Sequence, residues 1–425
     1  CDPLESGSLL PLMAEARPCG QSCAPKQETL MSFWNDPLKV AADWLMGIFT
    51  GWGMPEIAAQ ILIGFLGIFL LIALLMVLDI FLVWVERKVV ARFQDRLGPN
   101  RLGPFGLIQP FADIIKLLIK EDTTPGGADK VVYNLAPMLS MMSVLILWAV
   151  MPLAPKIIGV DLNIGALYII AAGAIGTLSI IMAGWSSNNK FALMGAFRQV
   201  AVMVSFEIPM LTMLLIPTIL AGSMGFNAIV EAQDIWYVFL VPLAALIFMI
   251  AAIAELGRAP FDLAEGESEI VAGFNVEYSG MKFGMFYAGE LLHAFTFGGF
   301  MGILFFGGYR FFGLEKVSAF LAIAVILFKA MIGYWIIMWV KYTMMRIRID
   351  HMLDFNWKFL TPLGLVLLMV VALVNALLKD TSPWIYGIGM FLSNVAVGWA
   401  AMEVARAYSR RERAKVEGVK EVVTT

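Results

Sequence analysis

Nine long apolar stretches constrain this chain more than any other feature of its sequence. They lie near 57–85, 135–154, 164–184, 199–222, 236–255, 285–308, 317–340, 359–378 and 384–405. Each reaches the roughly 20 residues that a helix needs to cross a bilayer core. None alternates apolar with polar at period two, so membrane strands are excluded. Inside hydrocarbon the backbone must satisfy its own hydrogen bonds, which leaves the helix. The expected fold is all-α, a polytopic transmembrane helix bundle of about nine spans. Composition agrees: 60% of the 425 residues are hydrophobic and 15% charged, where a soluble domain carries about 25% charge. The same apolar content excludes a disordered chain. A net charge of −3 leaves no electrostatic footprint for nucleic acid.

Cys1, Cys19 and Cys23 are the only cysteines, and His293 and His351 lie far apart. No cluster has the spacing of a zinc or iron–sulfur site. No glycine-rich dinucleotide fingerprint or Walker loop occurs either. The chain is therefore expected to bind no cofactor or metal, with any redox group on a partner. The sequence begins at Cys1, and Met31 is a candidate internal start. Residues 1–30 lack the continuous apolar core of a signal peptide. Residues 1–50 are expected to be a largely extramembrane tail with a short amphipathic turn at Trp34–Trp52. A disulfide between Cys19 and Cys23 stays open. The transmembrane domain is expected over 51–408, with a basic cytoplasmic tail at 409–425.

Lysine and arginine in the connections set the orientation. The connections at 86–134, 185–198, 256–284, 341–358 and 406–425 share one side and hold 22 basic residues; the other side holds 7. That bias puts the C-terminus in the cytoplasm and the N-terminus outside, which an odd number of spans satisfies.

Two connections stand out. In the first, Arg92, Asp95 and Arg96 precede the turn-forming pairs Gly98-Pro99 and Gly103-Pro104. Ile108, Phe111, Ile115 and Leu118 then oppose Gln109, Asp113, Lys116 and Lys120 at helical spacing. This is an amphipathic helix lying in the interface plane. It reads either as a basic surface anchor or as the side of an entrance for a lipid-soluble substrate. The second connection, 256–284, carries Asp262, Glu265, Glu267, Glu269 and Glu277 against Arg258 and Lys282. Such acids either dock a partner or handle protons, because neighbouring carboxylates raise one another's pKa.

Ionisable residues also fall within the spans: Asp79, Glu207, Glu255, Glu290, His293 and Lys329. A charge in hydrocarbon is costly unless paired or wet, which makes such residues functional candidates. Asp79 and His293 read as structural pairs or snorkelling groups. Glu207 and Lys329 have no interface within reach and read as functional. Carboxylates on several helices are the material of a proton relay. Pro209, Pro217 and Pro242 sit within spans, which is tolerated where neighbours take up the freed carbonyls.

Four stretches carry a resemblance. They are ERKVVARFQDRLGPNRLGPFGLIQPFADIIKLLIKED, GWSSNNKFALMGAFRQVAVMVSFEI, RAPFDLAEGESEIVAGFNVEYSGMKF and RIRIDHMLDFNWKFLTPL. In order and spacing they resemble the family of quinone-chamber membrane subunits of respiratory complex I, the bacterial NADH–quinone oxidoreductase. The span pattern agrees over about 57–378. The resemblance implies a helical component of the bacterial inner membrane, bound by no cofactor of its own. Its partners would be hydrophilic-arm quinone-site subunits, which carry FMN and iron–sulfur clusters, and antiporter-like membrane subunits. Quinone is the implied substrate. Arg92, Asp95 and Arg96 fall in the motif at the quinone entrance, and Arg258 and Asp262 in the R-A-P-F-D core. Glu207, Glu255 and Glu290 match acids of a proton route, with Glu265, Glu267, Glu269 and Glu277 in its acidic loop. Leu256-Gly257 stands where the family commonly has Thr-Asn, Ala264 where it has Pro, and Phe206 and Phe274 replace tyrosines. Those departures put polar contacts near the chamber in doubt. The ninth span and residues 1–50 exceed the family's common eight-span pattern.

The expected function is that of a membrane subunit of a proton-pumping NADH:quinone oxidoreductase, with no complete active site on this chain alone. Lys329, Glu207, Glu255, Glu290 and the loop acids are the candidate relay. One alternative is the anchor subunit of a related membrane-bound hydrogenase or other-donor dehydrogenase, which partner subunits distinguish. Another is an autonomous ion channel or transporter, which predicts ion flux through the isolated chain. A purely structural scaffold is disfavoured by Glu207.

Overall fold

The computed structural model describes residues 36–263, 266, 270–311, 313–379 and 381–424, with side chains as far as 410 apart from that of residue 316. Residues 1–35, with Cys19, Cys23 and Met31, lie outside the described residues, as do Glu265, Glu267 and Glu269.

The architecture is an all-helical bundle. A first helix, α1 (Pro37–Gly51), occupies the stretch expected to hold one amphipathic turn. The Asp36 carboxylate caps it, accepting from the Lys39 amide at 3.2 Å. Then come α2 (Glu56–Phe93), the amphipathic α3 (Gln109–Ile119), α4 (Lys130–Leu147), α5 (Gly165–Ser186) and α6 (Lys190–Ala221). After the short α7 (Phe226–Glu231) follow α8 (Tyr237–Leu240), α9 (Pro242–Glu255), α10 (Gly280–Phe305) and α11 (Ala319–Thr343). The chain closes with α12 (Ile349–Leu378), which contains a π turn at Asn356–Leu360, and α13 (Pro383–Thr424).

Among the described residues, eight helices are long and apolar enough to cross a membrane: α2, α4, α5, α6, α10, α11, α12 and α13. The fifth expected span is the exception. It breaks at Val241 into α8 and α9, because Pro242 starts a helix rather than sitting inside one. At that first position its missing N–H costs nothing. The 14 residues of α9 rise about 21 Å, against a hydrocarbon core of about 30 Å.

Prolines that do lie inside helices release a carbonyl four residues upstream, and at two of them a side chain answers it. Pro209 frees the Ser205 carbonyl, which accepts from Asn356 Nδ2 at 2.6 Å. Pro137 frees that of Tyr133, which accepts from the Tyr278 hydroxyl at 3.2 Å. Side-chain caps start α4 at Asp129, α6 at Asn189 and α11 at Ser318.

The helix α10 is the hub, packed against α11 and α4, while α6 packs on α5, α9 and α12. The most apolar window of α10 is 83% buried residues and that of α2 only 6%. The first span therefore stands at the lipid-facing edge. The ninth, α13, lies along α12, α8 and α9. The interfacial helix α3 presents Ile108, Phe111, Ile115 and Leu118 outward. It is tied to α2 by the Arg87–Asp113 ion pair and by Trp84 Nε1 donating to the Phe105 carbonyl at 3.2 Å. Burial raises the Asp113 pKa, but hydrogen bonds from Arg87 and Lys116 outweigh it and hold the carboxyl below its usual range.

Candidate functional site

One end of each of α2, α9 and α11 and the first half of α10 converge on Arg258, three residues past the end of α9. Its side chain is 1% exposed, and its Nε donates to Glu290 Oε1 on α10 at 2.9 Å. Lys341 on α11 lies 3.9 Å from Glu290 and 3.1 Å from Glu86 on α2. The Tyr342 hydroxyl donates to the same Glu86 oxygen at 2.6 Å. Two acids and two bases from four elements thus form one network. Burial lowers the pKa of a guanidinium, but Glu290 and Glu86 outweigh it and raise that of Arg258, so it stays charged.

The network separates two cavities. The larger, about 910 Å³, is bordered by Glu86, Arg87, Arg96, Arg101, Gln109 and Tyr342. It opens beside α3 and the 96–101 turn. The smaller, about 110 Å³, lies inward, among Gln199, Glu255, Arg258, Glu290, His293 and Asn275. Tyr287 and Lys341 border both. Glu255 is 2% exposed, and its Oε2 has no partner among the described residues. Glu207 is half-buried on α6.

Not every candidate reaches this region. Arg96 borders the larger cavity, but Arg92 and Asp95 are exposed beside it, Asp95 in a left-handed turn at φ 51. Asp262 borders the smaller cavity and pairs with Arg346 at 3.0 Å. Glu277 accepts from Asn189 Nδ2 at 2.7 Å, which ties the second connection to the start of α6. Lys329 lies near the middle of α11, 12 residues before Lys341. Its ammonium donates to the carbonyls of Phe306, Gly308 and Arg310 at 2.7–2.8 Å. It also sits 5.1 Å over the Trp236 ring. His293 stacks on Phe297 and borders the smaller cavity, while Asp79 is buried on α2.

Two members of the network, Glu86 and Lys341, were not among the sequence candidates, because each counts as an ordinary charge at the start of a connection. A signal was available. Leu75, Asp79, Leu82 and Glu86 recur at helical spacing and form the buried face of α2. Tyr334, Ile337 and Met338 form that of α11, and Lys341 is two turns beyond Tyr334 on the same side. Among the described residues no group of three or more His, Cys, Asp and Glu could hold a metal ion. What the arrangement offers is paired charge between a larger cleft and a smaller cavity that carries ionisable side chains.

A family model described as NADH dehydrogenase matches residues 66–372. The H subunit of NADH-quinone oxidoreductase from Dehalococcoides mccartyi (strain CBDB1) is 47% identical over 290 residues, 68% of this chain and 80% of that protein. Its counterpart from Geobacillus kaustophilus (strain HTA426) is 42% identical over 312 residues, 72% and 92% of the two chains. That of Phocaeicola vulgatus (strain ATCC 8482) is 40% identical over 349 residues, 79% and 97%.

Proposed function

The chain belongs to the NADH dehydrogenase family, and on that premise we propose that it forms the membrane side of a quinone chamber in a proton-pumping NADH–quinone oxidoreductase. Its relatives are subunits of an oxidoreductase complex, so its partners are the other subunits of that complex. FMN and iron–sulfur clusters belong to those partners, and quinone is the substrate. The site lies in a bacterial inner membrane, with the C-terminus cytoplasmic; the bias of 22 basic residues against 7 supports that orientation.

One observation carries the mechanism: two adjoining cavities share Tyr287 and Lys341, and the Glu86–Lys341–Glu290–Arg258 network stands between them. Quinone enters through the 910 Å³ cleft beside α3, past Arg96 with Arg92 and Asp95 at its rim. Electrons from a partner reduce it, and the charge change at its head group draws on the network. Lys341 shifts its balance between Glu86 and Glu290. Arg258 and Asp262 fix the loop end of the path, and Glu265, Glu267, Glu269 and Glu277 supply protons from the acidic connection. Glu290, Glu255 and Glu207 carry the effect toward antiporter-like neighbours. Lys329 serves this relay by anchoring the far end of α10, a role its three carbonyl contacts support.

Glu255→Gln tests the relay in the assembled complex. The expected result is normal assembly with depressed coupled activity. Proton pumping at the wild-type level would show that Glu255 is not on the path.

A further inference from the structure

The helix α6 and the segment after α9 meet at a contact too close for a side chain. Gly257 has φ +61, and a Cβ on it would overlap the side-chain amide of Gln199. Gln199 is 4% exposed, and its Oε1 has no partner among the described residues. It borders the smaller cavity together with Glu255, Arg258 and Glu290. In the same place Glu255 Oε2 and both terminal nitrogens of Arg258 are buried and unpaired among the described residues. A buried amide oxygen is unfavourable unless a donor such as water meets it. The glycine admits that amide, so two backbone positions are shaped around one polar group.

An amide combines donor and acceptor and does not titrate. It can therefore hold water between a guanidinium and a carboxylate whatever the carboxylate's proton count. The cavity, about 110 Å³, has room for several waters, since one needs only roughly 10–15 Å³ of such space. We propose that Gln199 is a positioning residue: seated on Gly257, it orders water between the Glu255 carboxylate and the Arg258 guanidinium, and so sets how a proton passes between Glu255 and Glu290. The assignment rests on the relay reading above and names the group that orients its water.

The test uses the whole complex in liposomes, measuring proton pumping alongside quinone reduction. Gln199→Ala removes the amide, and Gln199→Leu does so at nearly constant volume, which covers failure of either variant to assemble. Losing one oriented hydrogen bond lowers pumping about three- to tenfold. Adding Gly257→Asn to Gln199→Ala returns an amide to the vacated space, because Asn tolerates positive φ. That double variant should recover pumping to within about twofold of wild type, which a purely volumetric role for Gln199 does not predict. Wild-type pumping in both single variants would overturn the proposal. So would a double variant that assembles and pumps no better than Gln199→Ala. Glu255→Gln run in parallel separates the two levels: loss there with none at Gln199 sinks only the positioning role, and no loss at Glu255 sinks the relay.

Discussion

Two lysines on α11 stand 12 residues apart, about 18 Å along the helix axis, and their hydrogen-bond acceptors differ in kind. Lys329 gives its three protons to three backbone carbonyls. Those acceptors cannot titrate, rotate away or change charge. Lys341 meets two carboxylates at 3.1 and 3.9 Å, one of which is shared with Arg258 and the other with Tyr342. Around it Glu86 Oε2 and both terminal nitrogens of Arg258 remain unpaired among the described residues. A half-buried ammonium can thus be saturated by fixed carbonyls or shared among carboxylates, and this helix carries one of each. Saturated donors mark structure, and surplus donors and acceptors mark chemistry.

Four experiments would break or sharpen that contrast. Arg258→Met leaves Glu290 and Glu86 without their buried counter-charge and should cost about 3–5 kcal/mol, read as lost assembly or a lower Tm of the complex. Lys329→Met should destabilise by about 2–3 kcal/mol yet keep turnover per assembled complex, measured as quinone reduction normalised to intact complex. A fall in turnover with unchanged Tm would erase the distinction between the two lysines. Lys341→Met should do the opposite, with about tenfold lower coupled turnover and about 1 kcal/mol or less of stability, since its side chain is 25% exposed. The smallest effect is at the rim. Asp113 has a folded pKa below its unfolded value of 3.8, so the Arg87 pairing contributes fully above that value. It is lost only as pH falls through the lower folded pKa. Asp113→Asn should remove about 1 kcal/mol or less and abolish that acid dependence, followed by the Trp84 fluorescence of the α3 attachment.

Much of the bundle was legible because hydrocarbon allows so few solutions. Eight of the nine apolar runs are long helices, and the amphipathic α3 follows from the spacing of Phe111, Ile115 and Leu118. The break at Val241 was less visible, since Pro242 reads alike as a kink and as a helix start. Of the site, Glu255, Glu290 and Arg258 stood out as ionisable groups at span ends. The partnership of Glu86 with Lys341 did not, because 255 residues separate them and only packing brings α2 beside α11. A sequence cannot show three carbonyls turning back toward the Lys329 ammonium. That turn depends on Gly307 and Gly308, both at positive φ.

The crossing of α10 and α11 adds a mechanical corollary. A Cβ on Gly333 would lie 2.6 Å from the Gly298 Cα, so here the two backbones touch with no side chain between them. Such a contact acts as a pivot. Lys329 is four residues from it, about 6 Å, and Lys341 is eight residues away on the other side, about 12 Å. The three carbonyls hold the short arm, and the pairings with Glu86 and Glu290 lie at the end of the long one. A given tilt of α11 therefore moves Lys341 about twice as far as Lys329.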